Sequence, residues 1–208
     1  MAKYIEIPEP KVARFAFAST HPVPALVWLV ARVYLGYQWL HAGWEKVTGT
    51  ESGWHWTMTS QSWLTNPAGL KGFAAFALTQ TEGPHAAVNY GWYAAVLRWI
   101  ERSGGWLAPV IAITETLIGV ALIVGAFVGI AAFIGLTLNT SFVLAGVAGV
   151  NPVFMVLEGL LILAWRNAGW YGTDRYLLPA LGVPGQRGTL FGGTGPTATE
   201  HAAASDGT

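Results

Sequence analysis

Four long apolar runs, divided by glycine-rich or polar breaks, dominate the chain. They are Val23 to Trp44 (VPALVWLVARVYLGYQWLHAGW), about Trp106 to Gly125, about Phe127 to Val147, and about Pro152 to Trp170. A helix needs roughly 20 mostly apolar residues to cross about 30 Å of hydrocarbon, and each run is near or above that length. The pattern predicts an all-α integral membrane protein built as a four-transmembrane-helix bundle. The links between the second, third and fourth runs are a few residues of Gly, Ala and Asn, so those neighbours should be adjacent and antiparallel. The first run begins after residue 20 and has no small-residue cleavage site at its end, so it does not read as a signal peptide.

The link between the first and second runs, about 45–105, is not plain loop. Counting its flanks, it holds eight of the 11 Trp: Trp39, Trp44, Trp54, Trp56, Trp63, Trp92, Trp99 and Trp106. Indole prefers the headgroup layer, which places this segment on the outer interface. Val88, Trp92, Ala95 and Trp99 recur at helical spacing, predicting an interfacial amphipathic helix over 86–102 that runs into the second span. A shorter helix is expected near Ala68 to Gln80. The segment either seals the bundle or caps a ligand site. Residues 1–22, with Lys3, Lys11 and Arg14, and the chain after the fourth run, with Arg166, Arg175 and Arg187, share one side; the positive-inside rule makes that side the cytoplasm. The membrane domain is then 23–180. The tail over 181–208 is rich in Gly, Thr and Ala and has too few large apolar residues to pack.

Composition sharpens this picture. Hydrophobic residues make up 53% and charged residues 11%, where a soluble domain carries about 25% charged residues; the cell membrane is the expected location. Lys+Arg and Asp+Glu are both 11, so no basic excess draws nucleic acid. Cys is absent, which excludes disulfides, thiol catalysis and Cys-held zinc or iron–sulfur clusters. No HExxH, phosphate loop, dinucleotide fingerprint or nucleophile elbow occurs.

Between Val23 and Trp44 there is one charge, Arg32, and between Trp106 and Trp165 there are two, Glu115 and Glu158. Ionised groups at mid-bilayer cost roughly 2.5 to 3.5 kcal/mol each on insertion scales, so they should face one another. At 1.5 Å per residue, Arg32 lies about 14 Å from the inner end, while Glu115, Asn139 and Glu158 lie about 14, 12 and 9 Å from the outer ends. One polar layer follows, in which Arg32 pairs with Glu115. One Arg cannot neutralise two acids, and Glu158 is the better candidate for the acid left over. The layer is either a register device or a proton-exchanging site beside an apolar cavity.

The first run also carries two opposed stripes. Arg32, Gly36, Trp39 and Gly43 should face the bundle, their glycines permitting close packing. Tyr34, Gln38, His41 and Glu45 form the other, aimed at the outer cap or a partner. His41 reads more simply as a hydrogen-bonded surface histidine than as a ligand. His21, His55, His85 and His201 are scattered, with no pair at facing depths, so no haem and no metal is expected.

The run ARVYLGYQWLHAGWEKVTG, with Arg32, Gly36, Gly43 and Lys46, resembles the first-span signature of the DoxX-like superfamily. ITETLIGVALIVG, with Glu115, Gly119 and Gly125, resembles its second span. WRNAGWYGTDRYLLP, with Gly169, Gly172 and Asp174, resembles its end motif. The resemblance covers about 23–180. The long Trp-rich segment is similar to that of the DoxD-like group within it, membrane subunits of thiosulfate:quinone oxidoreductases. The resemblance implies quinone reduction coupled to thiosulfate oxidation, and a protein partner subunit.

Three readings compete. In the first, the bundle binds quinone: Arg32 holds a carbonyl or balances charge, Glu115 and Glu158 exchange protons, and His41, Glu45 and Lys46 meet the sulfur substrate, with Asn139 in the same layer. In the second, the chain is a non-catalytic scaffold or assembly subunit of a larger redox complex. In the third, it is a small transporter, disfavoured by the lack of an inverted repeat.

Overall fold

The computed structural model describes residues 14–18, 22–51, 53–82 and 86–183. Most of the N-terminal segment, the tail from residue 184, and His21, His85 and His201 lie outside the described residues. All regular elements among the described residues are helical, as the apolar pattern predicts.

The first helix, α1, runs Pro22–Thr48. Pro22 and Pro24 fix φ in a first turn whose N–H groups have no intrahelical partner. Gly49 ends it with φ 71°, its N–H reaching Glu45 O at 2.7 Å, a left-handed exit open to glycine at no steric expense. Helices α2, Ala68–Thr79, and α3, Gly91–Ser103, occupy the long link. A 3-10 turn, Gly104–Trp106, joins α3 to α4, Leu107–Val124. Then come α5, Val128–Leu144, and α6, Asn151–Leu163, followed by short helices α7, Trp165–Ala168, and α8, Asp174–Ala180.

Helix α1 lies along α4, and α5 along α6; contacts of α4 with α5 and of α1 with α6 close the ring. Glycines set the α1–α4 spacing. A Cβ on Gly36 would stand 2.9 Å from Leu122 Cβ, and one on Gly43 would stand 2.6 Å from Thr116 Oγ1; one on Gly119 would meet the Leu40 backbone. The stripe of Arg32, Gly36, Trp39 and Gly43 is buried, as expected. One core cluster fills the bundle around Leu35, Trp39, Leu122 and Leu161. A second, around Ala77, Tyr93 and Leu97, ties α2 and α3 over the end of α5, where Tyr93 OH donates to Ser141 O at 2.6 Å. We call that the cap end. The opposite end carries the start of α1, the α4–α5 turn, and α7 with α8.

The stripe read on α3 has Trp92, Ala95 and Trp99 exposed, whereas Tyr93, Ala94 and Leu97 pack inward. One expectation changes: the fourth run is not one helix. It breaks at Ala164, where Trp165 turns to pack against Gly129. Among the described residues one helical stretch, Gly91–Val124 taken through the 3-10 turn, is long and apolar enough to cross a membrane; α5 and α6, at 17 and 13 residues, are shorter. The bundle perimeter is nonetheless apolar: Val27, Leu117, Ile130, Phe133, Val156 and Leu163 are all exposed.

Candidate functional site: a polar cavity beneath the cap end

Arg32 does not meet Glu115. It reaches the last turn of α4, where Nη1 donates to Leu122 O at 2.5 Å and to Ile123 O at 2.9 Å. Nη2 donates to Tyr171 O at 2.7 Å. The charge nearby is Asp174, whose carboxylate accepts from the N–H groups of Phe127 (2.6 Å) and Val128 (2.9 Å) and so caps α5. Gly125, at φ 74°, lies against the guanidinium, and a Cβ on Gly172 would stand 2.8 Å from Gly125 O. This clasp ties α1, the α4–α5 turn and the segment after α7. The predicted Arg32–Glu115 pair fails because α1 is not flush with α4. Its first turns run beyond α4 and are packed by Ala16, which accepts from Trp28 Nε1 (2.7 Å) and Asn167 Nδ2 (3.0 Å). The Arg32 guanidinium, at Leu122 and Ile123, is therefore about 10 Å along the helix axis from Glu115 at 1.5 Å per residue, and the single polar layer is two sites.

The second site lies nearer the cap end. Glu115 is fully buried, and Lys46 Nζ donates to its Oε2 at 2.5 Å. The Lys46 stem comes inward from the end of α1, its ammonium also standing 5.4 Å from the centre of the Trp63 ring. Such a stem lets a charge act several ångströms from its Cα, which depth counting on Cα positions overlooks. Glu158, also fully buried, accepts from Trp39 Nε1 at 2.9 Å and from Asn139 Nδ2 at 2.8 and 2.9 Å. No cation pairs with it among the described residues, so Glu158 is the acid left over. Gly135 makes its room: a Cβ there would stand 2.6 Å from Glu158 Oε1.

Between these acids lies a cavity of about 190 Å³, lined by Gln38, Trp39, Ala42, Lys46, Glu115, Asn139, Phe142, Asn151 and Phe154. A 150 Å³ cavity is known to admit benzene, so one substituted ring fits. Glu115 Oε1 is buried without a hydrogen-bond partner, and its residue lines this space. Glu158 stands behind Asn139 and Trp39. A wider groove of about 500 Å³ opens at the cap end, lined by Glu45, Lys46, Glu51, Gln61 and Trp63 among others. Lys46 and Ala42 line both spaces.

Of the predicted site residues, the structure brings together Glu115, Lys46, Asn139 and Glu158. It separates Arg32 from them. Glu45 faces the groove. His41 packs against Tyr37 and Trp54, with Nδ1 3.6 Å from Glu45 Oε1, and does not line the cavity. Gln38, expected to face outward with His41, lines the cavity instead. Reasoning from sequence also missed Trp39, Phe142, Asn151 and Phe154, and the role of Asp174. Trp39 carried a usable signal: a buried indole N–H needs an acceptor, and its stripe faced the acids. Among the described residues no group of three or more His, Asp or Glu is placed to hold a metal ion.

No family model matches this chain, and neither a curated protein nor a solved structure matches it.

Proposed function

We propose that this chain is the membrane subunit of a quinone-linked oxidoreductase, with the cavity of Lys46, Glu115 and Asn139 receiving the quinone ring. The observation that carries the reading is Glu115: a fully buried acid with one oxygen unpartnered, on the wall of a ring-sized cavity. A structural ion pair needs no such space. Burial of an unsatisfied acceptor is costly, and such groups mark ligand sites. Glu115 is the acid against the ring, and Glu158 is the acid held behind it by Asn139 and Trp39. Reduction of a quinone takes up two electrons and two protons, and these acids are the groups on hand to pass the protons.

The exposed apolar perimeter supports a place in the cell membrane, since a water-facing protein rarely shows so broad an apolar surface. In this reading the four long helices form the membrane bundle, α2 and α3 lie on the outer face, and both termini are cytoplasmic. The resemblance to DoxD-like proteins points to thiosulfate as electron source. The cap-end groove has Glu45 and Glu51 on its wall, and its Lys46 is engaged by Glu115, so it is ill suited to a sulfur oxyanion. Oxidation of such a donor belongs on a partner subunit.

A scaffold reading is favoured by the Arg32 clasp, which is all backbone carbonyls and capping. That clasp engages both Nη atoms of Arg32 and leaves its Nε buried without a partner, but among the described residues Arg32 borders no ring-sized cavity, whereas the residue Glu115 does. The test is extraction of the detergent-purified protein for quinone, alongside thiosulfate-dependent quinone reduction by membranes. Co-purifying quinone is expected. Absence of quinone and of activity, with a larger redox complex co-purifying, would favour the scaffold.

A further inference from the structure

We propose that the end of the bundle opposite the cap holds one anionic phospholipid, its phosphate between Arg166 and Arg175 and its chains in the apolar groove beside them. This rests on the place in the membrane proposed above and is independent of the quinone site. The groove has a volume of about 490 Å³ and lies between α5 and the segment of α7 and α8, with Ile130, Ile162, Trp165, Leu178 and Leu181 on its wall. A second apolar groove, of about 240 Å³, lies between α4 and α5, with Leu117, Ala121 and Ile134 on its wall. Phe127 and Ile130 line both grooves, and both residues are exposed. The two spaces share that boundary, which suits a lipid with two chains.

A small hollow of about 110 Å³ adjoins the first groove, lined by Arg166, Trp170, Arg175 and Pro179 among others. Leu178 and Val183 line both the hollow and the groove. The Arg175 guanidinium stands 4.7 Å from the centre of the Trp170 ring, a contact that holds a cation by the charge distribution of the ring. Arg166 and Arg175 are exposed, and among the described residues neither forms an ion pair. The acid on the same wall, Asp174, is buried, and its two oxygens accept from the N–H groups of Phe127 and Val128. It is committed to capping α5 and does not neutralise the hollow.

Two unpaired guanidinium forks in one hollow match a phosphate, which each can bind through two parallel N–H donors. The adjoining groove selects among phosphates. A free phosphate ester would leave it empty, whereas acyl chains would fill it and remove its apolar wall from water. Basic pockets between helices at the cytoplasmic side are suited to anionic headgroups, and this is the end that the proposed topology turns to the cytoplasm. Tyr171 and Tyr176 are exposed beside the hollow, and Tyr favours the headgroup layer, the level at which a lipid phosphate lies.

The test is native mass spectrometry of the purified full chain in detergent, with dioleoyl phosphatidylglycerol or dioleoyl phosphatidylcholine added. The two lipids carry the same chains, so only the headgroup is compared. One phosphatidylglycerol should bind at least about tenfold more tightly than phosphatidylcholine, the worth of two basic residues beside a headgroup. Arg166→Gln combined with Arg175→Gln should erase that difference and leave the thermal midpoint of the lipid-free protein nearly unchanged, since both side chains are exposed. Equal binding of the two lipids by the unaltered chain overturns the inference, as does a difference that survives the double substitution. Displacement of the lipid by equimolar glycerol phosphate would make the site one for free phosphate esters and overturns it too. Lipid binding that begins only when residues 184–208 are removed would give the groove to the tail, and a lipid-free dimer would give it to a second copy; either overturns the inference. Release of the chain from vesicles by alkaline carbonate would overturn the membrane reading as well, whereas a chain that resists carbonate and shows no lipid preference overturns this inference alone. The comparison of lipids on the unaltered chain decides the matter even if the double variant does not fold.

Discussion

Arg32 on α1 and Glu115 on α4 are both buried ionisable groups in one seam, yet their surroundings differ in kind. Arg32 is met by main chain: three carbonyl oxygens from two segments, with Asp174 alongside capping the next helix. Glu115 is met by one side chain, Lys46; its other oxygen is buried without a partner, and the residue lines a cavity. Main-chain partners cannot move without the fold, so the Arg32 site is a fastener. Side-chain partners beside open space can exchange a proton or a ligand. The lesson is that the partner's nature, more than the buried charge itself, separates architecture from chemistry. The residues of the three motifs singled out from sequence divide along the same line. Arg32, Gly125, Gly172 and Asp174 meet at the fastener, while Gly43, Lys46 and Glu115 meet along the seam that leads to the cavity.

The comparison breaks first at Arg32. Arg32→Leu strips donors from Leu122, Ile123 and Tyr171 and leaves Asp174 without a neighbouring cation. Removing one member of a buried charged set costs about 3 to 5 kcal/mol, so folded yield from membranes should collapse. Near-normal yield with an unchanged thermal midpoint would mean the clasp does not fasten the bundle.

Lys46→Met comes next, at about 3 kcal/mol, because it leaves Glu115 buried and unpaired; the partial exposure of Lys46 keeps the loss at the lower end. Adding Glu115→Leu to it should restore the thermal midpoint without restoring quinone binding. Recovery of binding in the double variant would make the pair structural, like Arg32. Gly135→Ala should cost about 2 kcal/mol by overpacking, since its methyl would press on Glu158 Oε1 and the Trp39 indole. Its signature is a loss of activity out of proportion to the loss of stability, measured on the same preparation. Glu158→Gln is mildest for stability, about 1 kcal/mol, because one donor among Trp39 and Asn139 loses its acceptor. Quinone reduction should nevertheless fall sharply; full activity would remove Glu158 from the proton path.

Much of this was legible before any coordinates. The long apolar runs and their Gly and Pro breaks locate α1, α4, α5 and the start of α6, and Ala68–Thr79 falls where a short helix was expected. Burial of the Arg32, Gly36, Trp39 and Gly43 stripe was legible because glycine on a helix face signals close approach. Charge arithmetic makes one acid unneutralised; Glu158 was singled out by depth, beside an Arg32–Glu115 pair that the structure does not form. The failures share a physical origin. Depth counted from the edge of an apolar run assumes helices that start level, and α1 overhangs α4 by about three turns. Counting on Cα positions also ignores the reach of a lysine stem, which hid the Lys46–Glu115 pair. The capping role of Asp174 was not legible because its partners, two N–H groups at the start of α5, are more than forty residues away in sequence.

Ala42 lines both the cavity and the groove above it, and it takes no part in the side-chain pairs that hold Glu115 and Glu158. Ala42→Leu should fill the ring space and leave the fastener untouched. The direct measurement is binding of a tail-less quinone, 2,3-dimethoxy-5-methyl-1,4-benzoquinone, to the purified protein with and without this substitution, at matched thermal midpoints. The account predicts tight binding by the unaltered chain and at least about a tenfold loss in Ala42→Leu. Equal affinity in the two proteins would place the ring elsewhere and contradict the cavity as the site of function.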